Sequence, residues 1–107
     1  MVQNANQNMR IARRFKKELQ KKLRVSKMIL FGSRARGTYS DESDFDFMVV
    51  SDDFSGVAPH RRSAELYKIW DEDYPLELVC FTEEELARKR NNPWGVALEA
   101  LRTGVKV

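Results

Sequence analysis

The sequence predicts one small α/β (α+β) domain, a mixed β-sheet flanked by helices. Three observations lead there. The chain has 107 residues, 42% hydrophobic and 33% charged, which fits a single compact core. Apolar residues recur with helical and strand periods in the order helix, strand, strand, helix, strand, helix, helix. The single cysteine, Cys80, has no disulfide partner within the chain, so that core must hold the fold without staples.

Residues 5–24 read as the first helix, because Ile11, Phe15, Leu19 and Leu23 recur every four residues. Arg10, Arg13, Arg14, Lys17, Lys21 and Lys22 fill its other faces. Residues 26–32 read as a strand around the apolar run 28–31, and 45–50 as a second strand. The polar segment 33–43 between them is too irregular for either element at full length. A turn-rich loop at 51–56 leads to a helix from Pro59 to about Glu72, with Leu66, Ile69 and Trp70 on its buried face. Residues 75–81 alternate as a third strand, with Leu76, Leu78 and Cys80 on one face and Glu77, Val79 and Phe81 on the other. Thr82 and Glu85 form a capping box that opens a helix to about Arg90. Asn92-Pro93 opens a last helix to about Arg102, with Gly104 past its end. Tyr67, Trp70 and Trp94 read as core or partner-contact residues, and His60 as exposed near a helix start.

Charge is unevenly distributed. Residues 1–27 carry nine Lys/Arg against one acid, Glu18, whereas residues 28–107 carry ten against fifteen. A basic element attached to an acidic body can attract a phosphate-bearing partner. Apolar runs such as 28–31 are far too short to span a membrane, and residues 1–7 are polar, without the apolar region of a signal peptide. A reducing, cytoplasmic setting is therefore expected. No Ser-His-Asp or Cys-His arrangement is evident.

The informative segment is Phe31-Gly32-Ser33-Arg34-Ala35-Arg36-Gly37, followed by Ser43-Asp44-Phe45-Asp46. Asp44 and Asp46, two apart at a strand start, project from one face, while Phe45, Phe47 and Val49 take the other. Paired carboxylates repel unless a cation or donors compensate. Hard divalent cations such as Mg²⁺ favour such oxygens and keep water or phosphate oxygens as further ligands. Gly32 permits close backbone approach after a buried strand. A short helix starting near Ser33 would offer N–H groups and a hydroxyl to phosphate, and Arg34 and Arg36 add positive charge. If the third strand lies beside the second, Glu77 becomes a third carboxylate, and three can hold two metals for phosphoryl chemistry. Ser43 reads as a turn residue.

Gly32-Ser33, ten residues, then Asp44-Phe45-Asp46 resembles the signature of the minimal nucleotidyltransferases of the DNA polymerase β-like superfamily. The resemblance extends through the strand around Glu77 and the segment Ala100-Leu101-Arg102-Thr103-Gly104-Val105, and covers most of residues 26–105. It implies a polymerase β-like nucleotidyltransferase fold and nucleotidyl transfer from ATP with Mg²⁺. Carried over, Gly32 and Ser33 would contact the triphosphate, and Asp44, Asp46 and Glu77 would be the catalytic metal ligands; Arg36 is expected beside them as a phosphate contact from its charge alone. Many members carry Asp where this chain has Glu77, one methylene longer. The family includes antitoxins that attach AMP to a tyrosine of a HEPN-domain RNase partner. The chain's length resembles such stand-alone members, so the acceptor pocket is expected from another chain. Two rival readings are a non-catalytic antitoxin that neutralises its partner by occupying it, and a nucleic-acid binder acting through the basic helix. Acceptor, base preference and oligomeric state are not legible from the residues.

Overall fold

The structure, a computed structural model, describes residues 5–107; residues 1–4 of the polar N-terminal stretch lie outside the described residues. Its centre is a four-stranded mixed sheet built from β1 (Lys27–Phe31), β2 (Phe45–Val50), β3 (Leu76–Phe81) and β4 (Val105–Lys106), in the order β3-β2-β1-β4. β2 is antiparallel to β1 and parallel to β3, and β4 runs antiparallel to β1. Both faces are covered, which is why β1 and β2 are nearly continuous apolar runs rather than alternating ones.

On one face, α1 (Ala5–Gln20) sets Ile11, Ala12, Phe15 and Leu19 against Met28, Leu30, Phe45, Phe47 and Val49. Its basic residues are left towards solvent. Trp70 packs into this layer, with ring centroids 4.9 Å from Phe15 and 5.4 Å from Phe45. On the opposite face, α4 (Glu83–Lys89) and α5 (Val96–Thr103) place Leu86, Ala97 and Ala100 against Ile29, Phe31, Met48, Val50 and Phe81. A further helix, between the second and third strands, adds Leu66 to the α1 face, and two short pieces complete the described elements: α2 (Ser33–Arg36) and a 3₁₀ turn at Asp52–Phe54. None of the described helices is long and apolar enough to cross a membrane.

The three long strands and the capping box of α4 lie where the sequence places them. Thr82 Oγ1 accepts from Glu85 N at 3.2 Å, and Glu85 Oε1 accepts from Thr82 N at 2.9 Å. Several boundaries differ. α1 stops at Gln20, and Leu23 reaches the core from the following turn. The helix expected to run to Glu72, α3 (Pro59–Tyr67), ends earlier: Ile69 N and Trp70 N bond to the carbonyls three residues back, and that tight turn brings both side chains onto the core. α5 starts at Val96 rather than Pro93, because Asn92 Oδ1 accepts from Trp94 N and closes a separate turn. β4 is an addition: two residues are too few to announce a strand, and their ladder with β1 is a tertiary fact. Trp94, in contrast to Trp70, is 93% exposed.

Candidate active site

The site is built at one end of β2, on the face of α4 and α5. Asp44 immediately precedes the strand and Asp46 is its second residue. The parallel register pairs Asp46 with Glu77 of β3 and Phe45 with Leu76. Alternation therefore puts Asp46 and Glu77 on one side of the sheet, on strands roughly 4.8 Å apart, while Phe45 and Leu76 join the core on the other. Asp46 and Glu77 thus share one face, and Asp44, just before the strand, lies near enough for its charge to act on Asp46.

Gly32 enters from the other side. Asp46 pairs with Phe31 at the end of β1, so the chain leaving that strand passes the Asp46 carboxylate at once. Gly32 has φ 76°, and a Cβ there would collide with Asp46 Oδ2. Only glycine tolerates both the left-handed backbone and the contact. The Gly32 carbonyl then accepts from Ala35 N and Arg36 N, each at 3.1 Å, which starts α2 at Ser33. Ser33 is half-buried beside this bend.

Asp46 is under electrostatic stress. Burial, reinforced by the negative charges of Asp44, Glu77 and Glu99, pushes its carboxyl up to about 6, against the opposing pull of Arg36. Glu99 is the residue that sequence reasoning missed. It lies on α5, more than fifty positions from Asp46 along the chain, and no local pattern signals it. Its Oε2 stands 3.9 Å from Arg36 Nη1, an exposed and therefore weak pair that holds Arg36 at the rim.

Among the described residues, no three His, Cys, Asp or Glu side chains stand close enough together to enclose a metal ion unaided. The donor chemistry nevertheless fits a hard divalent cation: every group is a carboxylate, and Asp46, whose proton affinity is raised first by burial and then by Asp44, Glu77 and Glu99, is a carboxylate that a cation would relieve. Such a cation takes its remaining ligands from water and phosphate, so a complete protein cage is not required.

Arg34 corrects one expectation. It adds no charge to the phosphate side, because it is buried and turned to the other face of the sheet. Its guanidinium donates to the carbonyl of Ser43 at 3.1 and 3.2 Å, to that of Asp41 at 3.4 Å and to Asn8 Oδ1 at 3.2 Å. It also lies over the rings of Phe45, Tyr74 and Tyr39, within 4.8 Å. Arg34 thus pins the loop that delivers Asp44. Ser43 works in the same loop as a turn residue, its Oγ accepting from Ser40 N at 2.9 Å.

Residues 12–96 match the family described as the nucleotidyltransferase domain. A candidate protein adenylyltransferase of Methanocaldococcus jannaschii is 57% identical over 35 residues, 32% of this chain and 35% of that protein. A second from the same organism is 49% identical over 43 residues, 40% of this chain and 43% of that protein. The matched segments thus span less than half the length of these relatives. A candidate nucleotidyltransferase from Sulfolobus solfataricus superposes with a TM-score of 0.66 at 19% identity, over 99% of this chain and 87% of that one. BolA1 from Arabidopsis thaliana superposes at 0.56 with 24% identity, over 78% and 98% of the two chains. These superpositions show a shared fold.

Proposed function

The chain belongs to the nucleotidyltransferase domain family, and from that premise we propose that it is a Mg²⁺-dependent protein adenylyltransferase. It moves AMP from ATP to a hydroxyl acceptor, a tyrosine of a HEPN-type partner. The observation that carries the reading is the convergence at Asp46: Asp44 beside it in sequence, Glu77 beside it across the parallel ladder, and Gly32 against its carboxylate. The M. jannaschii relatives bearing the name protein adenylyltransferase support the choice of reaction.

In this reading the bend at Gly32-Ser33 seats the β- and γ-phosphates through its backbone N–H groups and the Ser33 hydroxyl, with Arg36 at the rim. Asp44, Asp46 and Glu77 would hold Mg²⁺, which when bound neutralises charge on the triphosphate and on the transition state. The acceptor oxygen bonds to the α-phosphorus, the bond to the bridging oxygen breaks, and pyrophosphate departs with that electron pair. Glu77, the most exposed of the three carboxylates, takes the acceptor proton. A protein acceptor suits the rim. Trp94 lines a groove of about 430 Å³ with Leu98 and Arg102 that also includes Glu99, and Trp and Arg are among the residue types enriched at the energetic centres of interfaces.

The test is incubation of the protein and a HEPN-type partner with ATP and Mg²⁺, followed by intact-mass analysis. We expect one added AMP on the partner, and none with Asp44→Asn/Asp46→Asn, whose circular dichroism remains that of the parent. Neutralisation of the partner with no added mass would replace the enzyme by an occupying antitoxin.

A further inference from the structure

We propose that the outer face of α1 is a docking surface for a nucleic-acid duplex, gripped by its phosphate backbone without regard to sequence. The inference is independent of the adenylyltransferase reading, because α1 packs on the sheet face opposite Asp46 and Glu77. Arg10, Arg13, Arg14, Lys16 and Lys17 line a groove of about 600 Å³ along this helix. Two of the five are engaged: Arg14 pairs with Glu72 at 2.8 Å, and Lys16 Nζ donates to the Val107 carbonyl at 2.9 Å. Among the described residues, no carboxylate lies within ion-pair distance of Arg10, Arg13 or Lys17.

Those three stand at positions i, i+3 and i+7, hence on one stripe, within about 10 Å of helix axis. Over that length one strand of a duplex presents about three phosphates. The occupant follows from what the face lacks. None of the exposed large hydrophobic residues (Val57, Tyr67, Trp94, Val96 and Val105) is carried by α1. Apart from the half-buried Val107 at its edge, the groove offers a protein partner no apolar side chain as an anchor. A single strand would find no ring on which to stack its bases. A regular row of phosphates needs neither.

The test measures binding of a fluorescein-labelled 20-base-pair RNA duplex by anisotropy. We expect a log–log salt slope of about −3, so affinity falls about 60-fold between 50 and 200 mM salt. Arg10→Glu/Arg13→Glu/Lys17→Glu, checked for native circular dichroism, should abolish binding at 50 mM salt. The charge-matched control Arg88→Glu/Lys89→Glu/Arg90→Glu, on the opposite side of the sheet, should bind within threefold of the parent. Absence of binding by the parent, undiminished binding by the α1 variant, or equal loss in the control would each overturn the proposal. So would displacement of the duplex by poly-L-glutamate at equal charge concentration, which would mark the face as a site for an acidic protein, or equal affinity for the single strand.

Discussion

Gly32 leaves no room for a methyl group, because Asp46 Oδ2 already occupies the space a Cβ would take. Gly32→Ala therefore either strains a left-handed residue or displaces the carboxylate. We expect a loss of about 1–3 kcal/mol in chemical denaturation, together with loss of nucleotidyl transfer. Asp46 makes the opposite exchange. Its folded carboxyl titrates near 6, above the ordinary 3.8, so ionising it costs the native state stability at neutral pH. That penalty is fully present above pH 6, is relieved as pH falls between 6 and about 4, and vanishes below. Asp46→Asn should thus stabilise the metal-free protein by about 1–2 kcal/mol at pH 7.5, the gain shrinking to nothing near pH 4, while transfer is abolished. Thermal melts in a chelator at the two pH values decide it; a variant no more stable than the parent at pH 7.5 removes the electrostatic stress from Asp46. The sequence made this residue legible through its spacing from Gly32 and Asp44. It could not reveal Glu99, whose place opposite Arg36 depends on how α5 folds back across the sheet, nor that Arg34 turns inward while Arg36, two residues on, stays at the rim.

Among the elements, α4 is fixed by more than its cap. Glu85, which closes the capping box visible in the sequence, also takes a bidentate pair from Arg62 of α3, at 2.5 and 3.0 Å. Arg62 is buried and further donates to the carbonyls of Val57 at 2.8 Å and Cys80 at 3.1 Å, so one guanidinium ties α3, β3 and α4 together. The Arg62 side chain, with the Thr82 amide behind it, holds the Glu85 carboxyl down to about 2. Because this value lies below the ordinary 4.5, the stabilisation is complete above that pH and is lost as pH falls toward 2. Glu85→Gln should cost about 2–3 kcal/mol at pH 7 and nothing near pH 2, read from urea midpoints at the two pH values. A constant difference across that range would mean that packing, not charge, carries the contribution. Here the sequence showed the local half of the network. Thr82 and Glu85 are three residues apart and obey a local rule, whereas Arg62 reads as one more basic residue on an amphipathic helix until tertiary folding buries it. The strands were legible for the same reason: β1, β2 and β3 declare themselves in apolar runs and alternation, while β4 exists only as a partner of β1.

For the whole molecule, the sheet separates two electrostatic environments: a basic helix on one face, and on the other a site where Asp44, Asp46, Glu77 and Glu99 confront Arg36. A polyanion such as ATP meets repulsion at that site unless a cation travels with it. The carboxylates needed to hold a divalent ion are thus also a barrier against the bare nucleotide. ATP binding should therefore give heat by titration calorimetry in Mg²⁺ and none in a chelator. The Asp44→Asn/Asp46→Asn variant should behave inversely: without divalent ions it should bind ATP about tenfold more tightly than the parent, since two repelling charges are gone, and Mg²⁺ should add little. A parent protein that binds ATP equally well with and without the metal would show that the acidic cluster does not face the nucleotide, and the Gly32-Ser33 bend would then lose its assigned ligand.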